Sequence, residues 1–216
     1  MPASREWLFP GGDELFRGVY TRSSIGASAR EIVAVCSAIT GEGKTTMSLG
    51  LGVTLAQDFP ERRVVVVETD LQRPVLATDF ALEPHPGLAT YLEGTVPMQA
   101  VYRPTFLENL HLVPGGGPVA NPARLLRSSA MAAAIDAMRQ THDVVILDVP
   151  AILASSNALL VANLADSAIL VVRAGVTPQT LVSKAVDQLD ASKLRGVVIN
   201  EVTSPVPGWL RRLLGL

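Results

Sequence analysis

Disulfides are the first thing this chain cannot have. Cys36 is its only cysteine in 216 residues, which excludes an intramolecular bridge and favours a reducing, cytosolic setting. A basic excess is missing as well: 18 Lys and Arg stand against 20 Asp and Glu, a net charge of −2. Non-specific nucleic-acid binding needs a basic face, so no nucleic-acid role is expected. Charge of either sign is sparse at 18%, while hydrophobic residues make up 48%. That balance excludes intrinsic disorder. Mean hydropathy is +0.32, yet no apolar run approaches the roughly 18 residues of a spanning helix. Asn157, Asn163 and Asp166 interrupt the richest region. The first 13 residues show no basic segment followed by an apolar one, so no signal peptide is expected. Internal repeats and low-complexity tracts are absent too. What remains is one well-packed soluble domain.

Short apolar, β-branched runs alternate with helical patterns. Strands are expected at 31–36, 64–67, 110–113, 143–147, 168–172 and 196–199. Helices are expected at 13–23, 44–57, 124–140, 155–164 and 177–189, the last with Thr177 as cap and Pro178 at its first position. Runs of apolar residues without alternation describe strands covered on both faces. The order predicts an α/β fold with a single doubly wound, mainly parallel sheet. Residues 1–30 are expected as an N-terminal arm with one helix, 31–202 as the α/β domain, and 203–216 as a C-terminal appendage.

Residues 38–45, Ala-Ile-Thr-Gly-Glu-Gly-Lys-Thr, fit the phosphate-loop pattern with Ala in place of its first glycine. Gly41 and Gly43 let the backbone turn so that successive N–H groups, Glu42 included, point at phosphate oxygens. Lys44 supplies a mobile positive charge for the β- and γ-phosphates. Thr45 offers a hydroxyl to Mg²⁺, Thr46 follows in the same turn, and the next helix presents its positive end. Two further strands end in acids: Glu68 and Asp70 after 64–67, and Asp148 after 143–147. Ligands of open α/β sheets bind at the carboxyl ends of the strands, where such acids can hold Mg²⁺ or a metal-bound water. An acid after a strand also caps turns.

Together, residues 38–46, the segment Glu68-Thr-Asp70-Leu-Gln-Arg73-Pro74 and Leu147-Asp148-Val149-Pro150 resemble the three nucleotide motifs of bacterial tyrosine kinases of the CpsD/CapB type. These belong to the deviant-Walker P-loop ATPases that also include division-site and partitioning proteins. The resemblance runs from about residue 14 to 202, through Gly87-Leu88, Asn121-Pro122, Arg173-Ala174-Gly175 and Asn200. It implies ATP and Mg²⁺ as cofactors and transfer of the γ-phosphate to protein tyrosine in capsule or exopolysaccharide biosynthesis. By the same resemblance Lys44, Glu68, Asp70 and Asp148 carry catalysis, with Glu68 orienting or deprotonating the tyrosine hydroxyl. Thr45, Asp70 and Asp148 hold the metal. Arg173 and Asn200 stand where the superfamily holds the base, although Asn200 reads equally well as a turn residue after a strand. The implied partner is a membrane-bound polysaccharide chain-length regulator. Glu14-x-x-Arg17 matches the first half of the family's self-association motif and implies a homo-oligomer.

Three departures stand out. The family usually carries Asp where this chain has Glu68, which moves the carboxylate by about one methylene in a reaction dominated by positioning. Tyr20 replaces the second Arg of the association motif, with Arg22 two residues on. Tyr20, Tyr91 and Tyr102 are the only tyrosines, so the family's tyrosine-rich tail is missing. The phosphoacceptor is then another protein. Alternatively, the chain is a regulatory ATPase switch controlling membrane or partner association, or a scaffold that binds nucleotide poorly.

The last eight residues hold Trp209, four leucines, Arg211 and Arg212. That composition suits an interfacial membrane anchor or a docking segment, which would put the protein at the inner face of the plasma membrane. It suits equally a terminal segment folded onto its own domain. His85, His111 and His142 lack ligand spacing and read as structural or solvated. Cys36 reads as a small core residue.

Overall fold

Successive side chains of a strand leave opposite faces of the sheet, and here both faces meet apolar layers. The computed structural model describes residues 13–80 and 82–202. The chain runs α1 (Asp13–Arg22), β1 (Glu31–Ser37), α2 (Lys44–Asp58), β2 (Val64–Glu68), α3 (Leu76–Asp79), α4 (Leu88–Leu92), a 3-10 turn (Met98–Val101), β3 (Arg103–Pro104), β4 (Leu110–Val113), α5 (Pro122–Leu126), α6 (Ser129–Thr141), β5 (Val144–Asp148), α7 (Ala158–Ala162), β6 (Ser167–Arg173), α8 (Gln179–Gln188) and β7 (Leu194–Asn200). Ile32, Ala34, Val65, Val67, Val145, Leu147 and Leu170 pack under Leu88, Leu126, Met131, Met138 and Val161. Val33, Val35, Val64, Val66, Ile146 and Val171 face Phe16, Met47, Leu51 and Leu55 on α1 and α2. Burying one such valine or leucine contributes about 1.5–3 kcal/mol, so the four central strands anchor the domain.

The strands lie in the order β3-β4-β2-β5-β1-β6-β7. All neighbours are parallel except β3, which pairs antiparallel with β4 through Arg103 and Pro104. The chain leaves β1 toward β2 on one side and later fills β6 and β7 on the other. That reversal places the carboxyl ends of β2, β5 and β1 side by side. Asp148 is level with Val35 on β1 and Glu68 on β2.

Several local expectations change. The helix expected at 124–140 is two helices, because Ser128 adopts an extended conformation (φ −72°, ψ 157°) and its hydroxyl donates to Leu125 O at 2.6 Å. Asn121 caps the first of them, accepting from Arg124 N. The helix expected at 155–164 shrinks to Ala158–Ala162, since Ala151 O takes the N–H groups of both Ala154 and Ser155 in a preceding turn. Thr177 does not cap α8: its hydroxyl donates to the Glu42 carboxylate, and Pro178 is the capping residue. β7 is not covered on both faces either. As the outermost parallel strand it alternates, with Val197 and Ile199 exposed. The helix of the N-terminal arm lies on α2, with Phe16 over Gly50, where an added Cβ would sit 2.2 Å from the ring. Residues 203–216 lie outside the described residues, and with them the proposed tail contact. No described helix is long and apolar enough to cross a membrane.

Candidate nucleotide site

The loop between β1 and α2 is shaped by two glycines in the left-handed region, Gly41 at φ +82° and Gly43 at φ +85°. Gly43 is also closely fitted, because a Cβ there would stand 2.2 Å from Asn200 Nδ2 and would force that side chain to shift. Gly43 caps α2 without a side-chain bond. No backbone N–H from Gly41 to Thr46 finds an acceptor among the described residues. A run of unsatisfied N–H groups at the positive end of a 15-residue helix fits phosphate oxygens.

Below the loop, three side chains of α2 converge on Asp148. Thr45 Oγ1 donates to Asp148 Oδ2 at 2.7 Å, and Lys44 Nζ lies 3.3 Å from Oδ1. Ser48 Oγ lies 3.3 Å from Oδ1 and 2.9 Å from Lys44 O. Asp148 is 1% exposed. Burial pushes its carboxyl above the ordinary aspartate value, and the Lys44 charge and the two hydroxyls oppose that rise. The Thr45 hydroxyl gives its proton to Asp148 and accepts from Lys44 Nζ at 3.4 Å, which leaves one lone pair for a cation. Thr69 extends the network, its N–H and hydroxyl both donating to Asp148 O at 3.1 and 2.8 Å.

Asp70, at the end of β2, is half-buried, and its Oδ1 accepts from Arg73 N at 3.1 Å in a tight turn. Its second oxygen has no partner among the described residues. Thr45, Asp70 and Asp148, the residues expected to hold the metal, offer only oxygen donors, the chemistry Mg²⁺ prefers. No three of His, Cys, Asp and Glu gather around a metal-sized space among the described residues. A sparse set fits Mg²⁺, which is commonly held by one or two carboxylates, waters and substrate phosphates.

Glu68 sits otherwise than a residue facing substrate. Its Oε1 accepts from Val75 N and Leu76 N at 2.5 and 2.8 Å, and its Oε2 accepts from Gly115 N at 2.8 Å. It is 1% exposed. Burial raises its carboxyl above the usual glutamate value against the pull of these three N–H groups. The Glu42 carboxylate is likewise turned inward, accepting from Ile39 N at 2.6 Å, Arg173 N at 3.2 Å and the Thr177 hydroxyl. Only its backbone N–H is left for a phosphate. Asn200 Nδ2 donates to Glu42 O at 3.0 Å, and Arg173 pairs with Glu201 at 2.5 Å. A groove of about 940 Å³ runs between α1, the start of α2 and β7, reaching Gly43, Thr46 and Asn200.

The structure therefore brings Gly41, Gly43, Lys44, Thr45 and Asp148 into one constellation, with Thr46, Arg173 and Asn200 along its flank. Sequence reading missed Ser48, Thr69, Thr177 and Gly115. Ser48 was detectable, four residues after Lys44 and so on the same helical face. Thr69 stood between two singled-out acids with no local signal of its own, and Thr177 and Gly115 arrive from distant segments. Two of the histidines expected to be structural or solvated pack together, His142 Nε2 lying 3.3 Å from His111 Nδ1 beside Tyr102. Cys36 is a core residue, its thiol pushed up to about 12 by burial.

Residues 33–207 match the CobQ/CobB/MinD/ParA nucleotide binding domain family. The chain is 30% identical over 197 residues to tyrosine-protein kinase CpsD of Streptococcus agalactiae serotype Ia, covering 90% of this chain and 84% of that one. It is 32% identical over 191 residues to tyrosine-protein kinase YwqD of Bacillus subtilis, covering 87% and 80%. Among solved structures, the chimerical protein CapA2B2 superimposes with a TM-score of 0.81 at 27% identity, covering 88% of this chain and 85% of that one.

Proposed function

Since the chain belongs to the CobQ/CobB/MinD/ParA nucleotide-binding family, and within it to the bacterial tyrosine kinases, we propose that it transfers the γ-phosphoryl group of ATP to a tyrosine in a protein of capsule or exopolysaccharide assembly. The observation that carries this reading is the convergence of Lys44, Thr45 and Ser48 on Asp148 beneath the open N–H groups of 41–46. Phosphoryl transfer asks a protein mainly to hold phosphates in line and to stabilise charge.

The N–H groups of 41–46 hold the phosphates, and the Lys44 ammonium moves from Asp148 toward the transferring group. Thr45, Asp70 and Asp148 would hold Mg²⁺, which when bound neutralises phosphate charge. Arg173 and Asn200 flank the base. The new bond joins the tyrosine oxygen to the γ-phosphorus while the bridging bond to the β-phosphate breaks, so that ADP leaves and the hydroxyl proton passes to solvent water. The acceptor in this reading is a tyrosine of another protein, since Tyr20 donates to Asp58 and Tyr91 and Tyr102 pack against the core. The partner we propose is a membrane-bound chain-length regulator, met at the inner face of the plasma membrane by a chain that self-associates at least transiently. Residues 207–216 would add a peripheral lipid contact.

A second reading, a regulatory ATPase switch without kinase activity, is favoured by one observation: the Glu68 carboxylate is occupied by three amides. One experiment separates the two. Purified protein is incubated with γ-labelled ATP, Mg²⁺ and a membrane extract from its source, beside a Lys44→Ala control. Lys44-dependent label on phosphotyrosine is the expected result. Lys44-dependent free phosphate alone would favour the switch, and neither product would remove both readings.

A further inference from the structure

Glu68 joins two loops distant in sequence. Its Oε1 takes the N–H groups of Val75 and Leu76, which close the loop carrying Asp70 and Arg73. Its Oε2 takes the N–H of Gly115, 47 residues away in the turn after β4. Gly115 in turn accepts from Ala89 N through its carbonyl, and Leu88 N donates to Pro114 O, so α4 hangs on the same turn. A second tie runs beside it, Val119 N donating to Leu71 O at 2.9 Å. The space is closely fitted: a Cβ on Gly115 would stand 3.1 Å from Glu68 Oε2 and 3.2 Å from Pro74 Cβ.

We propose that Glu68 is a positioning residue, whose carboxylate staples the Asp70 loop to the 114–116 turn and so fixes Asp70 toward the phosphates. On this proposal the carboxylate turned to the reacting groups is that of Asp70, one oxygen of which has no partner among the described residues. Length explains the residue type. Aspartate is shorter by one methylene, about 1.5 Å, and cannot span both loops from the same Cα. Glutamine has the reach but only one acceptor oxygen, so its NH₂ group would confront one of the three N–H donors. The consequence for Asp70 rests on the phosphoryl-transfer reading of the site; the staple rests on geometry alone.

Hydrogen exchange on the full chain tests the staple directly. In the wild type the amides of Val75, Leu76 and Gly115, although outside strands and mostly in loops, exchange at least tenfold more slowly than neighbouring loop amides. If they exchange like open loop, the staple is overturned. Glu68→Gln and Glu68→Asp both speed these three amides at least tenfold and leave those of Val33 to Val35 unchanged. Both raise the Mg²⁺ concentration for half-maximal ADP binding at least fivefold, while ADP affinity without Mg²⁺ stays within twofold. A base role predicts a different pattern: Glu68→Asp fully active, Glu68→Gln inactive by more than about 100-fold, and all three amides unchanged. Absence of Lys44-dependent turnover in the wild type would sink the phosphoryl-transfer reading while leaving the exchange result to judge the staple.

Discussion

Thr45 and Asp148 are 103 residues apart in the chain and 2.7 Å apart in space, joined by a hydroxyl-to-carboxylate hydrogen bond at the start of α2. The same carboxylate receives Lys44 and Ser48. An amide at this position offers one acceptor oxygen to three donors and no charge to the lysine. Asp148→Asn is expected to lower Lys44-dependent turnover by about 10²–10³, read from initial rates at saturating ATP and Mg²⁺. Turnover within threefold of wild type would contradict the role given to Asp148.

Gly43 meets two demands at once, a left-handed backbone and the absence of a Cβ beside Asn200. Gly43→Ala is expected to abolish measurable ADP binding, and the left-handed backbone alone costs about 1–2 kcal/mol. Adding Asn200→Ala relieves the collision but not the backbone cost. Calorimetric titration should therefore find no measurable binding in the single variant and only partial recovery in the double.

α1 is held to α2 by a three-residue clamp. Arg17 makes a fork on Asp58 at 2.7 and 2.8 Å, and Tyr20 donates to the same carboxylate at 2.7 Å. Two positions of the association motif are thus engaged within their own chain. Tyr20→Phe is expected to cost about 0.5–1.5 kcal/mol, one hydrogen bond. The Arg17 hydrogen bond, aided by Tyr20, holds Asp58 below the ordinary aspartate value against the opposing effect of burial. A carboxyl with a depressed folded value stabilises above its unfolded value, near 3.9, and loses that contribution as pH falls through the lower folded value. Urea melts from pH 5 to 2.5 should show a steeper loss in wild type than in Asp58→Asn.

The His142 imidazole is held down to about 4, first by burial and then by the neighbouring His111, whose own value is lowered by burial and Arg63. Asp143 and the Met138 contact act the other way on His142. Between about 6.5 and 4 the unfolded chain binds the proton and the folded chain does not, so stability falls as pH drops through that window. The expected loss is on the order of 1–2 kcal/mol, discounted for partial burial, or about 2–8 °C in Tm. His142→Gln should flatten this part of the curve; an unchanged slope would refute the assignment.

Strand positions were readable because a buried β-branched run is a local signal. The four central strands appear within a residue or two of where the apolar runs put them. Helix ends were less readable. The break at Ser128 and the short α7 depend on single turns whose alternative, one longer helix, has nearly the same pattern of apolar residues. β3 and the short helices between 76 and 101 are four or five residues at most, too short for any periodicity to show.

The amino-acid sequence by itself determined the chemistry on offer and its order: a glycine-rich loop after one strand, acids after two others, and a sheet able to set all three edges together. These are properties of short segments, set by backbone freedom, β-branching and side-chain charge. Tertiary structure alone decided where each acid points. Asp148 faces Lys44 and Thr45 because β5 lies between β1 and β2. Glu68, two residues before Asp70, turns instead to Val75, Leu76 and Gly115, and Glu42 turns to β6 and Thr177. The physical reason is shared. A buried carboxylate must find donors: side chains of α2 supply them to Asp148, and backbone N–H groups with one hydroxyl supply them to Glu68 and Glu42, most of them brought close only by the tertiary fold.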